Sequence, residues 1–564
     1  MTFLRQKRLV FVFFIFLTCL AGLVFRLWVI QIKDGEIYSF LALNHGSLWV
    51  ALEETPRGKI LDRNLTTITV EKREDRIVIF PGAVRDKAVV WHGLAGILGV
   101  DEPVIKKYLE GDACILPYSV SPEQSSAVRE KGWVGVMALP VQYRYGERPL
   151  ASHVLGHLGK ISSREEFLTL ANNSNKIYRY SDVVGKTGLE KYYEKDLKGM
   201  RPQQAVRVYT DARGRLLGGP GFKLEEGVGD RERKDLVLTI DLHIQRVVED
   251  VMDRKVERGA VVVMEAGSGD ILAMASRPGF DPANPGQTPG VTAEECFFDR
   301  CVSLYQPGSV FKVIVAAAAI EEDVAGLDSR FVCRGEQENM IHCWKEAGHG
   351  DLNFATAFAV SCNPVFAETG LALGAPTLIE YAGRLGFDNQ SVIGYPAPAD
   401  QRQDLDLIGA PYNLVNSSVG QGPVLVTPVQ IAAMTNVVVS NGIYRTPRLV
   451  KEVRKSSGSV AREFPQDTGR IAVSSVTAEE LRKLMELAVD QGTGKAALVP
   501  AFGSAGKTGS AQLDSGKDSV NAWFSGYAPR TCPRYIITVL VEGGAGGGET
   551  AAPIFREIME RILK

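Results

Sequence analysis

The chain has 564 residues, 45% of them hydrophobic and 23% charged, with a formal net charge of -2. That length and mix suit two or three folded domains and exclude a largely disordered chain, while the near-neutral balance excludes the basic footprint of a nucleic-acid binder. Eight cysteines are an ordinary density for a chain this long, which excludes a disulfide-stapled scaffold. At the amino terminus, Arg5, Lys7 and Arg8 precede an apolar run from Leu9 to Phe25, and Arg26 is followed by LWVIQI. A spanning helix needs roughly 20 apolar residues, a length that residues 9–32 reach if Arg26 snorkels to the far interface. No small-x-small cleavage site follows, so the segment reads as a single uncleaved membrane anchor. The basic residues assign the tail, 1–8, to the cytoplasm and everything beyond Ile32 to the outer side of the cell membrane.

Residues 33–234 read as an irregular α+β region with short strand-like runs such as RIVIF, Arg76 to Phe80. The stretch EEGVGDRERKDL, Glu225 to Leu236, is charged and poor in apolar residues, the signature of a linker or hairpin tip, and it sets a domain boundary at 234/235. Beyond it, Asp241 is placed to cap an amphipathic helix that runs to Val256. GAVVVME and DILAMAS, joined by AGSG, read as a hairpin. Helical text fills the middle of the region, and three strand-like runs follow close together: AGKTGSAQL, NAWFSGYAP and YIITVLVEGG. The last stretch, PIFREIMERILK, reads as a helix. Short connections imply a five-stranded antiparallel sheet, two strands from the start of the domain and three from its end, with the first and last helices on one face. A parallel nucleotide-binding sheet would need a helix between each pair of strands, and the last three have none.

GKTG occurs twice, at Gly185 to Gly188 and Gly506 to Gly509. Neither copy is a phosphate-binding P-loop, since the position of that motif's first glycine holds Tyr180 in one case and Ala501 in the other. A different chemistry fits the lysines. In YQPGSVFK, Ser309 and Lys312 are one turn apart at the start of an Ala/Ile/Val-rich helix and share a face. A neutral Lys312 amine can take the hydroxyl proton of Ser309 and make it a nucleophile, and the helix-start N–H of Ser309 can face an oxyanion. Ser504-Ala505-Gly506-Lys507 repeats the spacing, but in strand-like text that does not hold the two residues on one helical face. Ser361-Cys362-Asn363 supplies an S-x-N at a break between helical segments, with Pro364 behind it. Lys507-Thr508-Gly509 lies on a strand, where the glycine is expected to let a substrate backbone approach.

The order S-x-x-K, S-x-N, K-T-G is the signature of penicillin-binding proteins and serine β-lactamases. The chain resembles class B penicillin-binding proteins in particular, through RGKILDRN (Arg57 to Asn64), GKTGLEKYYEKDLKG (Gly185 to Gly199), YQPGSVFK, SSVGQGPVLVTPVQIA (Ser417 to Ala432) and NAWFSGYAP (Asn521 to Pro529). The resemblance implies an α+β chain: an anchor at 9–32, a pedestal domain at 33–234 resembling the penicillin-binding protein dimerisation domain, and a transpeptidase domain of the penicillin-recognising fold at 235–564. It also implies that the first GKTG is noncatalytic, and that Arg57, Gly58, Asp62 and Arg63 are structural.

What the resemblance implies for the chemistry is peptidoglycan cross-linking on stem peptides that end in D-Ala-D-Ala, with β-lactams as inhibitors. Ser309 would attack the penultimate carbonyl, with Lys312 either as neutral base or as a protonated group that only orients its neighbours. Ser361 would relay a proton to the leaving amine, Asn363 would bind substrate backbone, and Lys507 and Thr508 the terminal carboxylate. Gly509 completes that strand motif, and the N–H of Ser510 would join that of Ser309 in the oxyanion hole. Gln512 and Trp523 read as strand packing or cleft lining. Partners would be a membrane-embedded glycosyltransferase and other wall-synthesis proteins, and no cofactor is called for. Water against amine as acceptor is not legible in these residues, so a D,D-carboxypeptidase, a β-lactam sensor and an idle wall-assembly scaffold stand beside the transpeptidase. Cys333 and Cys343 flank RGEQENMIH, where a disulfide would add ~2 to 3 kcal/mol. No zinc site is expected at His342 or His349, because no close cysteine pair has finger-like spacing, and Cys362 reads as a small packing residue.

Overall fold

The computed structural model describes residues 2–35, 38, 47–53, 55–69, 72–146, 148–200, 202, 204–209, 222–226, 230, 232–287, 290, 292–337, 341–396, 402–410, 412–512 and 519–564. Of the charged stretch 225–236, residues 227–229 and 231 lie outside that set. The amino-terminal helix spans Thr2–Trp28 and continues as a π-helical turn over Val29–Lys33. Phe11–Lys33 is long and apolar enough to cross a membrane, with a mean hydropathy of 2.3 and none of it buried in protein.

The chain divides into two compact units that interleave along the sequence: Met1–Arg57, Glu71–Arg144 and Gly199–Arg233 in one, and Gly58–Val70, Tyr145–Lys198 and Lys234–Lys564 in the other. A single cut at 234/235 does not separate them, because two earlier segments are tied to the second unit by their own hydrogen bonds. Ile60 and Leu61 pair in parallel with Leu236 and Val237. The backbone of Ala151 donates to Glu249 at 2.6 Å, and Tyr193 donates to the carbonyl of Gly394 at 2.9 Å. Asp62 caps its own turn, accepting from the backbones of Asn64 and Thr66 at 2.8 Å each, and Arg63 reaches Glu265 at 3.2 Å. In the first unit, strands Lys72–Ile79, Cys114–Ser119 and Val136–Tyr143 form an antiparallel sheet, centred on the first of them.

The second unit is built on five strands: β1 (Gly259–Glu265), β2 (Ile271–Arg277), β3 (Ala505–Gln512), β4 (Val520–Ala528) and β5 (Tyr535–Gly544). Their order is β2-β1-β5-β4-β3, antiparallel throughout, as the short connections predict. Both faces are covered, so successive residues of β1 alternate between two cores. Val261 and Val263 face helices α1 (Leu242–Lys255) and α7 (Ala552–Ile562), whereas Ala260, Val262 and Met264 join the core on the other side. The first and last helices of the domain thus lie on one face, where Phe555 packs on Phe524 of β4 with ring centroids 4.6 Å apart.

On the opposite face sit α2 (Lys312–Glu321), α3 (Phe354–Ala359), α4 (Asn363–Leu373), α5 (Pro428–Val439) and α6 (Ser475–Asp490). Helix α2 is buried on every side from Lys312 to Ala319, and its run of four alanines (316–319) lets neighbouring helices close on it. A lysine in that position has no solvent to reach. Phe555→Ala should leave a cavity under β4 and cost about 3–5 kcal/mol of stability, read by denaturant titration of the full chain in detergent, while the helices of the opposite face keep their packing.

Candidate active site

Ser309 lies in a 3-10 turn, Gly308–Phe311, that runs directly into α2. Side chains three residues apart eclipse in such a turn, so Ser309 and Lys312 project to the same side, the first half-buried and the second fully buried. The turn is clamped from both flanks. Gly308 donates to the carbonyl of Gly420 at 2.9 Å, Tyr305 and Val426 exchange backbone bonds of 2.9 and 2.8 Å, and the side chain of Gln306 donates to Gly422 at 2.9 Å. On the other flank the indole of Trp523 donates to the carbonyl of Gln306 at 3.0 Å. Trp523 is therefore a strut for the turn that carries Ser309.

The S-x-N residues occupy the junction of α3 and α4. Ser361 takes φ 57°, a left-handed conformation usually given to glycine. Its N–H donates to Phe358 at 3.1 Å and that of Cys362 to Ala357 at 2.9 Å, the paired bonds of a Schellman turn. The turn ends α3, and Pro364 in the first turn of α4 restarts the helix in a new direction. A serine held at positive φ carries backbone strain, and in this conformation its hydroxyl faces Lys312 and Lys507.

That hydroxyl is where the three motifs meet. Lys312 Nζ lies 3.3 Å from Ser361 Oγ, and it also donates to the carbonyl of Ser361 at 2.8 Å and to Asn363 Oδ1 at 2.7 Å. Lys507 Nζ, from β3, lies 3.0 Å from the same Oγ. Both lysines are 0% exposed. Burial lowers Lys312 to about 7. Burial first, and the cation at Lys312 second, push Lys507 well below its ordinary value. With two acceptors taking its two N–H bonds, a neutral Lys312 has its lone pair left for a hydroxyl.

Thr508 shares a 2.5 Å hydrogen bond with Thr493, from the turn after α6. Thr493 escapes sequence reasoning, since a threonine between two glycines carries only a turn signal. Gly509 plays a different part from the one expected. A Cβ there would stand 2.7 Å from the carbonyl oxygen of Pro307 and 2.8 Å from Val310, so what approaches this glycine is the chain's own turn around Ser309. Gly308, at φ 54°, is likewise pressed against the peptide of Ser510, which brings that backbone beside Ser309. Ser510 is exposed, and its hydroxyl accepts from the N–H of Gly547 at 3.1 Å.

The decoys are accounted for. Ser504 spends its hydroxyl on the backbones of Ala497 and Val499 at 2.8 and 3.1 Å. In the first GKTG, Lys186 pairs with Glu166 at 2.5 Å, holding that carboxyl at about 2, and Thr187 bonds His157 at 2.9 Å. Cys333 and Cys343, read as a candidate disulfide, are both free thiols. They lie beside His349 and beside Cys362 of the S-x-N turn, a grouping that linear spacing does not reveal. Gln512 is exposed at the end of β3.

Residues 259–560 match the family model described as penicillin binding protein transpeptidase domain, and residues 52–220 match that of the penicillin-binding protein dimerisation domain. The chain is 30% identical to stage V sporulation protein D of Bacillus subtilis, across 99% of this chain and 85% of that protein. It is 26% identical to the peptidoglycan D,D-transpeptidase MrdA of Haemophilus influenzae, across 75% of this chain and 69% of the relative. Among solved structures, the D,D-transpeptidase domain of a peptidoglycan glycosyltransferase from Eggerthella lenta superposes with a TM-score of 0.53 at 26% identity, covering 64% of this chain and 95% of that one. A chain from a peptidoglycan synthase complex superposes with a TM-score of 0.71 at 23% identity, covering 98% and 97%, and shares the fold.

Gly509→Ala should push β3 away from the Ser309 turn while the sheet stays folded. A misplacement of about 1 Å costs roughly 10²-fold in rate, so covalent labelling by a fluorescent penicillin should slow to that extent with little change in melting temperature.

Proposed function

The chain belongs to the class B penicillin-binding proteins, peptidoglycan D,D-transpeptidases, and on that premise we propose that Ser309 is the nucleophile of a serine acyl-enzyme pathway run by two buried lysines. The observation that carries this reading is the convergence of Lys312 and Lys507 on the single hydroxyl of Ser361, at 3.3 and 3.0 Å. Neutral Lys312 takes the proton of Ser309 as its Oγ attacks the carbonyl of the penultimate D-Ala. The oxyanion forms against the backbone N–H groups of Ser309 and Ser510, donors fixed before the reaction begins. Ser361 then passes a proton from Lys312 to the departing D-Ala amine, and an amine of a second stem peptide takes the acyl group from Ser309.

Asn363 holds the Lys312 amine with its oxygen and has its amide nitrogen on the carbonyl of His342 at 3.4 Å. On this account it positions the base as well as the substrate backbone. Lys507 and Thr508 receive the terminal carboxylate. Low proton affinity in the substrate-free site suits Lys507 to this task, because an arriving anion favours its charged form, so carboxylate and proton arrive together. Thr493 keeps the hydroxyl of Thr508 oriented.

The amino-terminal helix anchors the chain once in the membrane. Arg5, Lys7 and Arg8 support a cytoplasmic tail and an extracytoplasmic catalytic unit. That placement puts the site where stem peptides are cross-linked, beside a membrane-embedded glycosyltransferase that polymerises the strands. The dimerisation-model match over 52–220 supports a pedestal role for the pre-catalytic region. The relatives named D,D-transpeptidases favour amine over water as the acyl acceptor.

Ser309→Ala should abolish covalent labelling by fluorescent penicillin in denaturing gels, and persistent labelling would move the nucleophile elsewhere. Lys312 is lowered to about 7 and acts in its neutral form. The acylation rate should therefore fall tenfold per pH unit below about 7 and level off above it, measured by stopped-flow. Lys312→Arg cannot lose its proton, so it should slow acylation by about 10²–10⁴-fold, the usual contribution of a general base, and remove the inflection.

A further inference from the structure

Four side chains beside the S-x-N turn are not used by the mechanism: Cys333, Cys343, His349 and Cys362. Their ligand atoms all lie within 4.8 Å of one another, the one such group of three or more His, Cys, Asp and Glu side chains among the described residues. The three thiols are buried, at 2%, 5% and 0% exposure, and none is bridged. His349 directs Nδ1 at 3.6 Å from Cys333 Sγ and 3.4 Å from Cys343 Sγ. A tetrahedral zinc with Zn–S near 2.3 Å and Zn–N near 2.0 Å has ligand-to-ligand edges of about 3.5 to 3.8 Å, so the two nitrogen–sulfur edges are already formed.

The backbone around these residues is built for close convergence. Cys333 ends a short strand, Arg330–Cys333, that pairs with Gly350–Asn353 and so brings His349 back to it. Residues 334–337 and 341–348 close on each other at Gly335 (φ 71°) and Gly348 (φ 75°), where a Cβ would stand 1.9 Å from the carbonyl oxygen of Glu346 and 2.3 Å from that of Cys333. Trp344 covers His349 edge-on, with ring centroids 5.4 Å apart. Cys362 reaches the cluster from the N-cap of α4, between Ser361 and Asn363.

We propose that Cys333, Cys343, His349 and Cys362 form a Cys3His zinc site that pins the S-x-N turn to the 333–349 loop. Three thiolates and one imidazole are a soft, nitrogen–sulfur donor set that selects zinc over magnesium or calcium, and four protein ligands make the site structural, with no open position for a substrate. The metal forms bonds to three thiolate sulfurs and one imidazole nitrogen and releases the thiol protons to solvent. No oxidant is involved. Through Cys362 the metal fixes the residues on either side of it, the relay hydroxyl of Ser361 and the amide of Asn363. This consequence rests on the role proposed above for Ser361, whereas the metal site itself does not.

The test uses the full-length chain, purified in detergent micelles under thiol reductant without chelator. Elemental analysis should give one zinc per chain, and cobalt(II) replacing it should show the ligand-field bands of a tetrahedral site and thiolate-to-cobalt charge transfer. Cys343→Ser with His349→Ala should lose the metal. Stripping zinc from the unmutated protein should slow penicillin labelling at least tenfold, with recovery on adding zinc back. A reduced, folded chain with substoichiometric zinc and no thiolate–cobalt band, or a disulfide among these cysteines found by mass spectrometry in the protein as isolated, would overturn the site. Stoichiometric zinc whose removal leaves labelling unchanged would overturn its hold on the turn, and leave the acyl-enzyme reading untouched.

Discussion

Two lysine amines buried around one serine hydroxyl are the constraint on which the rest of the catalytic unit depends. Both approach Ser361 Oγ within hydrogen-bonding range, so they stand no more than about 6 Å apart, where two unit charges repel by about 3 kcal/mol at an effective dielectric near 20. Loss of hydration is the leading cause that lowers both amines, Lys312 to about 7 and Lys507 well below its ordinary value, and the repulsion adds to it at Lys507. Lys312, already donating to Ser361 and Asn363, then has a neutral form within reach of working pH. The fold creates this state by burying α2 on all sides and by bringing β3, the edge strand of the sheet, against its first turn.

The surrounding architecture keeps these few atoms in register. Gly308 and Gly509 remove side chains where the Ser309 turn and β3 touch, Trp523 ties the turn to β4, and the segment 420–426 holds its other flank. Most of these contacts join backbone to backbone or backbone to the rigid ring of Trp523, and the side chain of Gln306 adds one more to Gly422. The strained Ser361 is sustained by the Schellman bonds beneath it, and the zinc proposed at Cys362 would add a covalent brace where the strain is stored.

Much of this was legible in the sequence. The five-stranded antiparallel sheet followed from connections too short for crossover helices, and three ordered motifs single out Lys312, Ser361, Asn363 and Lys507, side chains that the fold brings into one hydrogen-bonded group. What was not legible depends on proximity through space. Segments 58–70 and 145–198 join the later unit through strand pairing and buried hydrogen bonds that no local pattern encodes. The sequence around Gly509 suggests room for a substrate because the turn at Pro307 that meets it in space lies about 200 residues away in the chain. Thr493 and the cluster of Cys333, Cys343, His349 and Cys362 were missed for the same reason, since the ligands come from a strand, a loop and a helix cap rather than from a motif of fixed spacing.

The central claim is that Lys312 is neutral at working pH because of where the fold puts it. It is tested most directly by carbon-13 NMR of the full chain labelled at lysine Cε, with the Lys312 resonance assigned by its loss in Lys312→Arg. A titration centred near pH 7 is the expected result. A Lys312 resonance that titrates only near the ordinary lysine value of about 10.4 would mean the amine stays charged, and would contradict its role as the base.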